Sequence, residues 1–302
     1  MHPNIYNIFI NNTRTQIVIF VILVLQGCAN HVEWRVKSLV PSRTGVAVQS
    51  VKINPFSGVS EQEGIQFARL LTNRLQHQGY VKIQSNGAKG LLSGNLTWGR
   101  TELETWSERF DIDGKTSYQY FAQKRKPLTV SYDFYVNDEN YPDSYTKNYS
   151  LTQVSSNSYS EAKASLDTEQ EIRSWLMTVA VYKIVGNISP HKKLKTYKLK
   201  LGDTDNLELG TEYVLLDRLD QALSIFRQIA NKSNNKEDRA SAVYNQGVIH
   251  EVRGDFKKAF SAYRTANQLH PEELMYPESV TRIEEEILNK LILDSQIDII
   301  EE

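Results

Sequence analysis

One cysteine in 302 residues leaves no partner for a disulfide, so the core must hold this fold together unaided. A single thiol equally excludes zinc sites built on several thiolates. No stretch approaches the roughly 20 apolar residues that a spanning helix needs. The longest unbroken apolar run is nine residues, 17–25. Charge of one sign is missing as well: 35 Lys and Arg face 36 Asp and Glu, which gives no electrostatic footprint for nucleic acid. Beyond residue 28 the histidines His31, His77, His191, His250 and His270 are scattered and form no His-x-x-x-His pair.

Catalytic signatures are missing too. Gly87-Ala88-Lys89-Gly90 and Gly94-Asn95-Leu96 lack the spacing that wraps a phosphate, and Ser93-Gly94 has no nucleophile-elbow context. Asp111-Ile112-Asp113-Gly114 begins like a calcium loop. Thr116 then stands where that loop turns on glycine, and Ala122 where it needs a bidentate acid, so an acidic turn is expected. Glu102, Glu104 and Glu108 are neighbours in sequence, whereas paired-carboxylate catalysis depends on separation in space. The expectation is a protein without catalytic chemistry, cofactor or metal.

What is present begins with a leader. Arg14, the apolar run 17–25 and small residues before Cys28 have the build of a secretory signal peptide. Leu25-Gln26-Gly27-Cys28 closely resembles a bacterial lipobox. That resemblance implies that residues 1–27 are removed and that Cys28 becomes the acylated, palmitate-bearing first residue. Ala29, in place of Asp, fits transfer to the outer membrane with the protein facing the periplasm. Cleavage would remove one cation and leave a formal charge of about −2. Residues 28–44, with no clear period and with Pro41-Ser42-Arg43, read as a tether.

Residues 45–202 read as an α+β domain, a mixed or antiparallel sheet with two helices. A strand ends at Asn54-Pro55, and Ser60 with Glu63 is a capping box. Ile65, Ala68, Leu71 and Leu75 follow at helical spacing before Gly79. Leu128, Val130, Tyr132, Phe134 and Val136 alternate with polar residues as a half-buried strand, and 141–154 suits its hairpin partner. Asp167 and Gln170 open a second helix with the stripe Ile172, Trp175, Leu176, Val179 and Tyr182. A last strand, 191–201, carries Lys192, Lys193, Lys195, Lys198 and Lys200, the pattern of a guarded edge, with a surface for anionic lipid or glycan as the alternative. Pro55-Phe56, Leu70, Leu75, Gly79, Val81 and Leu92-Ser93-Gly94-Asn95-Leu96 resemble the periplasmic α/β domain of curli-pore (CsgG-type) lipoproteins and of lipoproteins that activate penicillin-binding proteins.

Residues 203–302 read as wholly helical. Leu209, Gly210, Tyr213, Leu219, Ala222 and Phe226, then Gly247, Gly254, Phe256, Ala259, Tyr263, Ala266 and Pro271, resemble tetratricopeptide repeats. The alanines are 37 positions apart, which predicts an enlarged loop at 231–238. Val280, Ile283, Ile287 and Leu291 suit a capping helix. By that resemblance Thr211, Val214, Leu215, Tyr244, Val248 and Glu251 would line a partner groove. The expected function is a periplasmic protein-binding scaffold or accessory factor serving envelope assembly or secretion. It would bind envelope proteins or further copies of itself through the repeats and the membrane through Cys28. The alternative is a subunit of a CsgG-like export pore, with 126–138 and 141–154 as its membrane strands.

Replacing Cys28 by Ala is expected to abolish acylation and lipoprotein-type cleavage. Two or three acyl chains anchor durably because each buried methylene adds ~0.8 kcal/mol. The native protein should therefore remain with membranes through a 1 M salt wash, where the screening length is about 3 Å. An unmodified Cys28 in membrane-bound protein, read by mass spectrometry, would refute the anchor.

Overall fold

The computed structural model describes residues 31–112, 114–202 and 204–301; the expected signal peptide and Cys28 lie outside the described residues. The described residues open with β1 (His31–Val40), where a tether was expected. β2 (Ser50–Ile53), α1 (Glu61–Gln78) and the two-residue β3 (Lys82–Ile83) follow. Then come β4 (Gly90–Trp98), β5 (Glu102–Ile112), β6 (Lys115–Val136), β7 (Glu139–Asn140) and β8 (Asp143–Ser155). The short α2 (Tyr159–Ala164), α3 (Glu169–Ile188) and β9 (His191–Lys200) complete the first part. Five helices end the chain: α4 (Asp205–Leu215), α5 (Leu219–Lys232), α6 (Lys236–Val252), α7 (Phe256–Leu269) and α8 (Met275–Glu301). The fold is mixed α and β, a sheet followed by a helical unit.

Local signals explain most of the first part. At α1 the Ser60 side chain accepts from the Glu63 amide while Glu63 reaches back to Ser60, and Gly79 ends the helix at φ 79°. α3 begins the same way with Thr168 and Glu171, one residue beyond the expected pair. Asp167 instead accepts the Tyr149 hydroxyl at 2.6 Å. β3, β2 and β4 run parallel; β6 is antiparallel to β4, and β8 pairs along the other side of β6. Leu128, Val130, Tyr132, Phe134 and Val136 point inward together, as their period-two spacing predicts. They pack with Phe67, Leu71 and Leu75 of α1 and Ile172 and Leu176 of α3. Trp175 and Tyr182, expected in that core, are exposed; Met177, Ala180, Val181 and Ile184 fill it.

β4 and β5 lie end to end along one side of the 22-residue β6. Trp98 opposes Leu128 and Glu102 opposes Arg125, so residues 99–101 face only 126–127. That is a bulge, which bends the strand. Gly99 sits there because a Cβ would run into the Pro127 ring. The buried Lys126 pins the spot, donating to Thr101 Oγ1 at 2.9 Å and pairing with Glu169 on the first turn of α3. Beyond the bulge β8 still flanks β6 down to Tyr120 and α2 covers Ala122, so only residues 108–112 of β5 with 115–119 of β6 project as a two-stranded hairpin arm.

β1 pairs only with β9, His31 opposite Lys200 and Val40 opposite His191. This ribbon belongs to the helical unit: Val32, Trp34, Val36, Tyr197 and Leu199 join its core. In packing terms the division expected at 202 therefore falls in loops 41–45 and 189–190. The hairpins α4–α5 and α6–α7 repeat one contact, Gly210 against the Phe226 ring and Gly247 against the Tyr263 ring. Ala222 and Ala259 are wholly buried, and the turns pass through Asp217 at φ 59° and Gly254 at φ 78°. The enlarged loop expected between hairpins is absent, because α5 and α6 are separated by residues 233–235 alone. α8, 27 residues and about 40 Å long, caps the second hairpin with Tyr276, Ser279 and Ile283. It then continues to the far end of the ribbon, leaving Leu291 exposed. There the Gln296 side chain accepts from the Ser42 amide at 2.9 Å and donates to its hydroxyl at 2.7 Å.

Gly247→Ala tests this packing by its sign. Helix propensity alone favours alanine by about 0.5–1 kcal/mol. A Cβ here would sit 2.6 Å from the Tyr263 ring, which is fully buried and hydrogen-bonded. The variant should therefore lose about 1–3 kcal/mol in thermal or urea unfolding. A gain in stability would refute the contact.

Candidate functional site

The expected groove is filled by the chain itself. Thr211, Val214, Tyr244, Val248 and Glu251 are buried, and of the six only Leu215, on α4, is exposed. This corrects the reading of them as a partner surface. The ribbon lies across α6, where the Asn245 side chain completes the strand ladder. Its Oδ1 accepts from the Lys200 amide and its Nδ2 donates to the Lys200 carbonyl, both at 2.8 Å. Tyr244 packs between Tyr263, at 5.3 Å, and Tyr276, at 5.1 Å between ring centroids.

Glu251 lies at the centre of this filled face. Its carboxylate takes the Arg282 guanidinium at 2.8 Å and the Tyr263 hydroxyl at 2.6 Å. Arg282 also sits over the Tyr197 and Tyr263 rings, 5.9 and 5.6 Å from their centroids. Burial pushes the Tyr197 and Tyr276 phenols up to about 12, so both stay neutral donors. Lys195 reaches Glu286 of α8 at 2.5 Å, and Lys200 pairs with Glu273. Acid-rich α8 against lysine-rich β9 is a complementarity legible in sequence.

Open surface lies on the α/β unit. The face of the sheet away from α1 and α3 carries hydroxyls paired across strands, Thr129 with Thr146 at 2.7 Å and Ser131 with Ser144 at 2.8 Å. A shallow cleft of about 620 Å³ runs over Ser93, Asn95, Ser131, Asp133 and Ser144. It offers hydrogen bonds, but its serines contact no histidine or lysine that would activate them. At its rim Asn187 Nδ2 donates to Tyr132 Oη and Asp143 Oδ2, both at 2.8 Å. Burial raises the Tyr132 phenol to about 12.

The arm is the more distinctive surface. Through most of β5 and residues 115–119 of β6 the side chains on both faces are exposed. They include Leu103 and Tyr118, with Trp106 stacked on Phe121 at 5.1 Å and 5°. Asp111, from the expected acidic turn, accepts Thr116 Oγ1 at 2.7 Å near the tip. Glu102, Glu104 and Glu108 share one exposed face of β5, Glu104 reaching Arg125 at 3.5 Å. Sequence reasoning placed the acidic turn at the tip but gave no sign of the missing cover along these strands. Among the described residues no His, Cys, Asp or Glu cluster is placed to hold a metal, and no helix is long and apolar enough to cross a membrane.

A family model described as a domain of unknown function (DUF6340) matches residues 208–290, which lie within the helical unit. No curated protein matches. Among solved structures the chain is similar to PelC dodecamers from Paraburkholderia phytofirmans. A point variant shares 11% identity over 53% of this chain and 100% of that one, with a TM-score of 0.28. Another crystal form shares 13% over 52% and 98%, with a TM-score of 0.27. TM-scores this low do not establish a common fold.

Arg282→Met leaves Glu251, whose side chain is only 2% exposed, without its cation. The loss should be about 3–5 kcal/mol, recovered in good part when Glu251→Leu is added. Denaturant unfolding of the two single variants and the double one measures this. A single variant as stable as wild type would refute the buried pair.

Proposed function

We propose that this protein is a lipid-anchored component of a bacterial envelope that works by binding another protein through the β5–β6 arm. The observation that carries the proposal is that most of β5 and residues 115–119 of β6 lack cover on either face. A two-stranded hairpin is marginal alone in water, and exposed apolar and aromatic side chains on one mark a contact surface. The lipobox supports an acylated Cys28 and an outer-membrane, periplasm-facing location. The Gly–aromatic contact recurring 37 positions on supports tetratricopeptide-type hairpins. Those hairpins hold the ribbon, and the arm meets the partner, a second copy of this chain being one candidate.

The pore reading fares less well. Its two strands would have to leave the core, where Leu128, Val130 and Phe134 are fully buried. The arm would serve no better. Arg109 and Asp111 stand on one face and Glu104 and Glu108 on the other. A charge at the bilayer midplane costs roughly 2–4 kcal/mol.

Pull-down from a detergent extract of the native envelope tests the arm. Wild type should retain a defined protein that Leu103→Ser with Tyr118→Ser loses by about tenfold or more, at unchanged melting temperature. Equal retention by the variant would discard the arm as the binding site. Turnover of a small molecule, with no protein retained, would discard the binding function.

A further inference from the structure

Directly opposite residues of an antiparallel pair share a face, so the ribbon has an outer side made by Glu33, Arg35, Lys37, Lys192, Leu194 and Lys198. Charges on the two sides are treated differently. Lys195, on the inner side, is neutralised by Glu286, and Lys200, at the ribbon's buried end, by Glu273. On the outer side Arg35 pairs with its neighbour Glu33 at 3.3 Å in full view of solvent. Among the described residues no ion pair joins Lys37, Lys192 or Lys198 to a carboxylate. Leu194, opposite Lys37, is 55% exposed in the middle of these lysines. The face thus presents three unneutralised cations around a leucine, on a rigid support.

Its position in the chain specifies the occupant. Only Ala29 and Asn30 separate His31 from Cys28, a reach of about 10 Å even when fully extended. An acyl anchor would thus hold the start of this basic face at the surface of the bilayer. We propose that the outer face of the ribbon lies on anionic phospholipid, with Lys37, Lys192 and Lys198 at headgroup phosphates and Leu194 at the boundary with the acyl chains. The orientation rests on the lipid-anchored reading above; the charge complementarity does not.

The test uses the mature-length chain with Cys28→Ser, which keeps every described residue and carries no lipid. It is sedimented with vesicles of phosphatidylcholine alone, or of three parts phosphatidylcholine to one part phosphatidylglycerol. The chain should pellet with the mixed vesicles at about 0.1 M salt, release at about 1 M, and ignore the neutral ones. Each cation near such a surface contributes roughly fivefold in affinity, so Lys37→Gln, Lys192→Gln and Lys198→Gln together should weaken binding by about a hundredfold. The corresponding triple arginine variant should bind like wild type. No preference for anionic vesicles, or full binding by the glutamine variant, would overturn the proposal. So would a lipid-independent dimer that the glutamine substitutions dissolve, since the face would then belong to a second copy. Because the chain tested is unacylated, failure here strikes the lipid-facing ribbon alone, and an unmodified Cys28 in native membranes strikes the anchor alone.

Discussion

A two-stranded ribbon cannot stand alone in water, and the way this one is covered governs the rest of the molecule. Val32, Trp34, Val36, Tyr197 and Leu199 present an apolar side that the seven-stranded sheet does not take up. The helical unit covers it. That choice consumes the surface which short helical hairpins would otherwise offer to a partner, and it fixes the chain from His31 onward. The ribbon's backbone is secured as well as its side chains: Asn245 closes the ladder at Lys200, and Gln296 holds Ser42 just past the other end.

α8 turns that cover into a strut. It meets β9 through Glu286, with Glu273 in the turn just before it, and reaches Ser42 through Gln296, beside the loop whose amides bond the last turn of α3. Arg43 and Thr44 donate to the carbonyls of Gly186 and Asn187, each at 3.1 Å. The two units are therefore joined by a short, hydrogen-bonded corner. Buried polar groups at such a corner cost free energy unless each finds its partner, so alternative placements of one unit on the other are penalised. The Glu251–Arg282 pair acts in the same way inside the helical unit, where its value lies in fixing α8 on α6 more than in net stability.

Much of this was legible. Ser60 with Glu63, the alternation from Leu128 to Val136 and the Gly–aromatic spacing of the helices are short-range signals, and each produced the element it specifies. Two kinds of signal were not decisive. Val32, Trp34 and Val36 alternate with Glu33, Arg35 and Lys37, a strand pattern that Pro41 and the reading of this stretch as a tether obscure; the partner, β9, is some 160 positions away. The groove residues failed for another reason. Periodicity identifies which helical face is apolar, but it cannot tell a face awaiting a partner from one covered by a distant segment of the same chain. Tyr244 and Glu251 carry no mark of their cover, which arrives with Tyr263, Tyr276 and Arg282.

With the groove filled, the open surface lies on the α/β unit. The ten-residue ribbon spans about 30 Å, and the sheet is attached at its far end. The arm then leaves the sheet at a bulge whose buried Lys126 is tied to Glu169, so its direction is set by α3 and not by a hinge. The same packing that fills the groove with the ribbon leaves the outer part of the arm as the exposed element of the molecule.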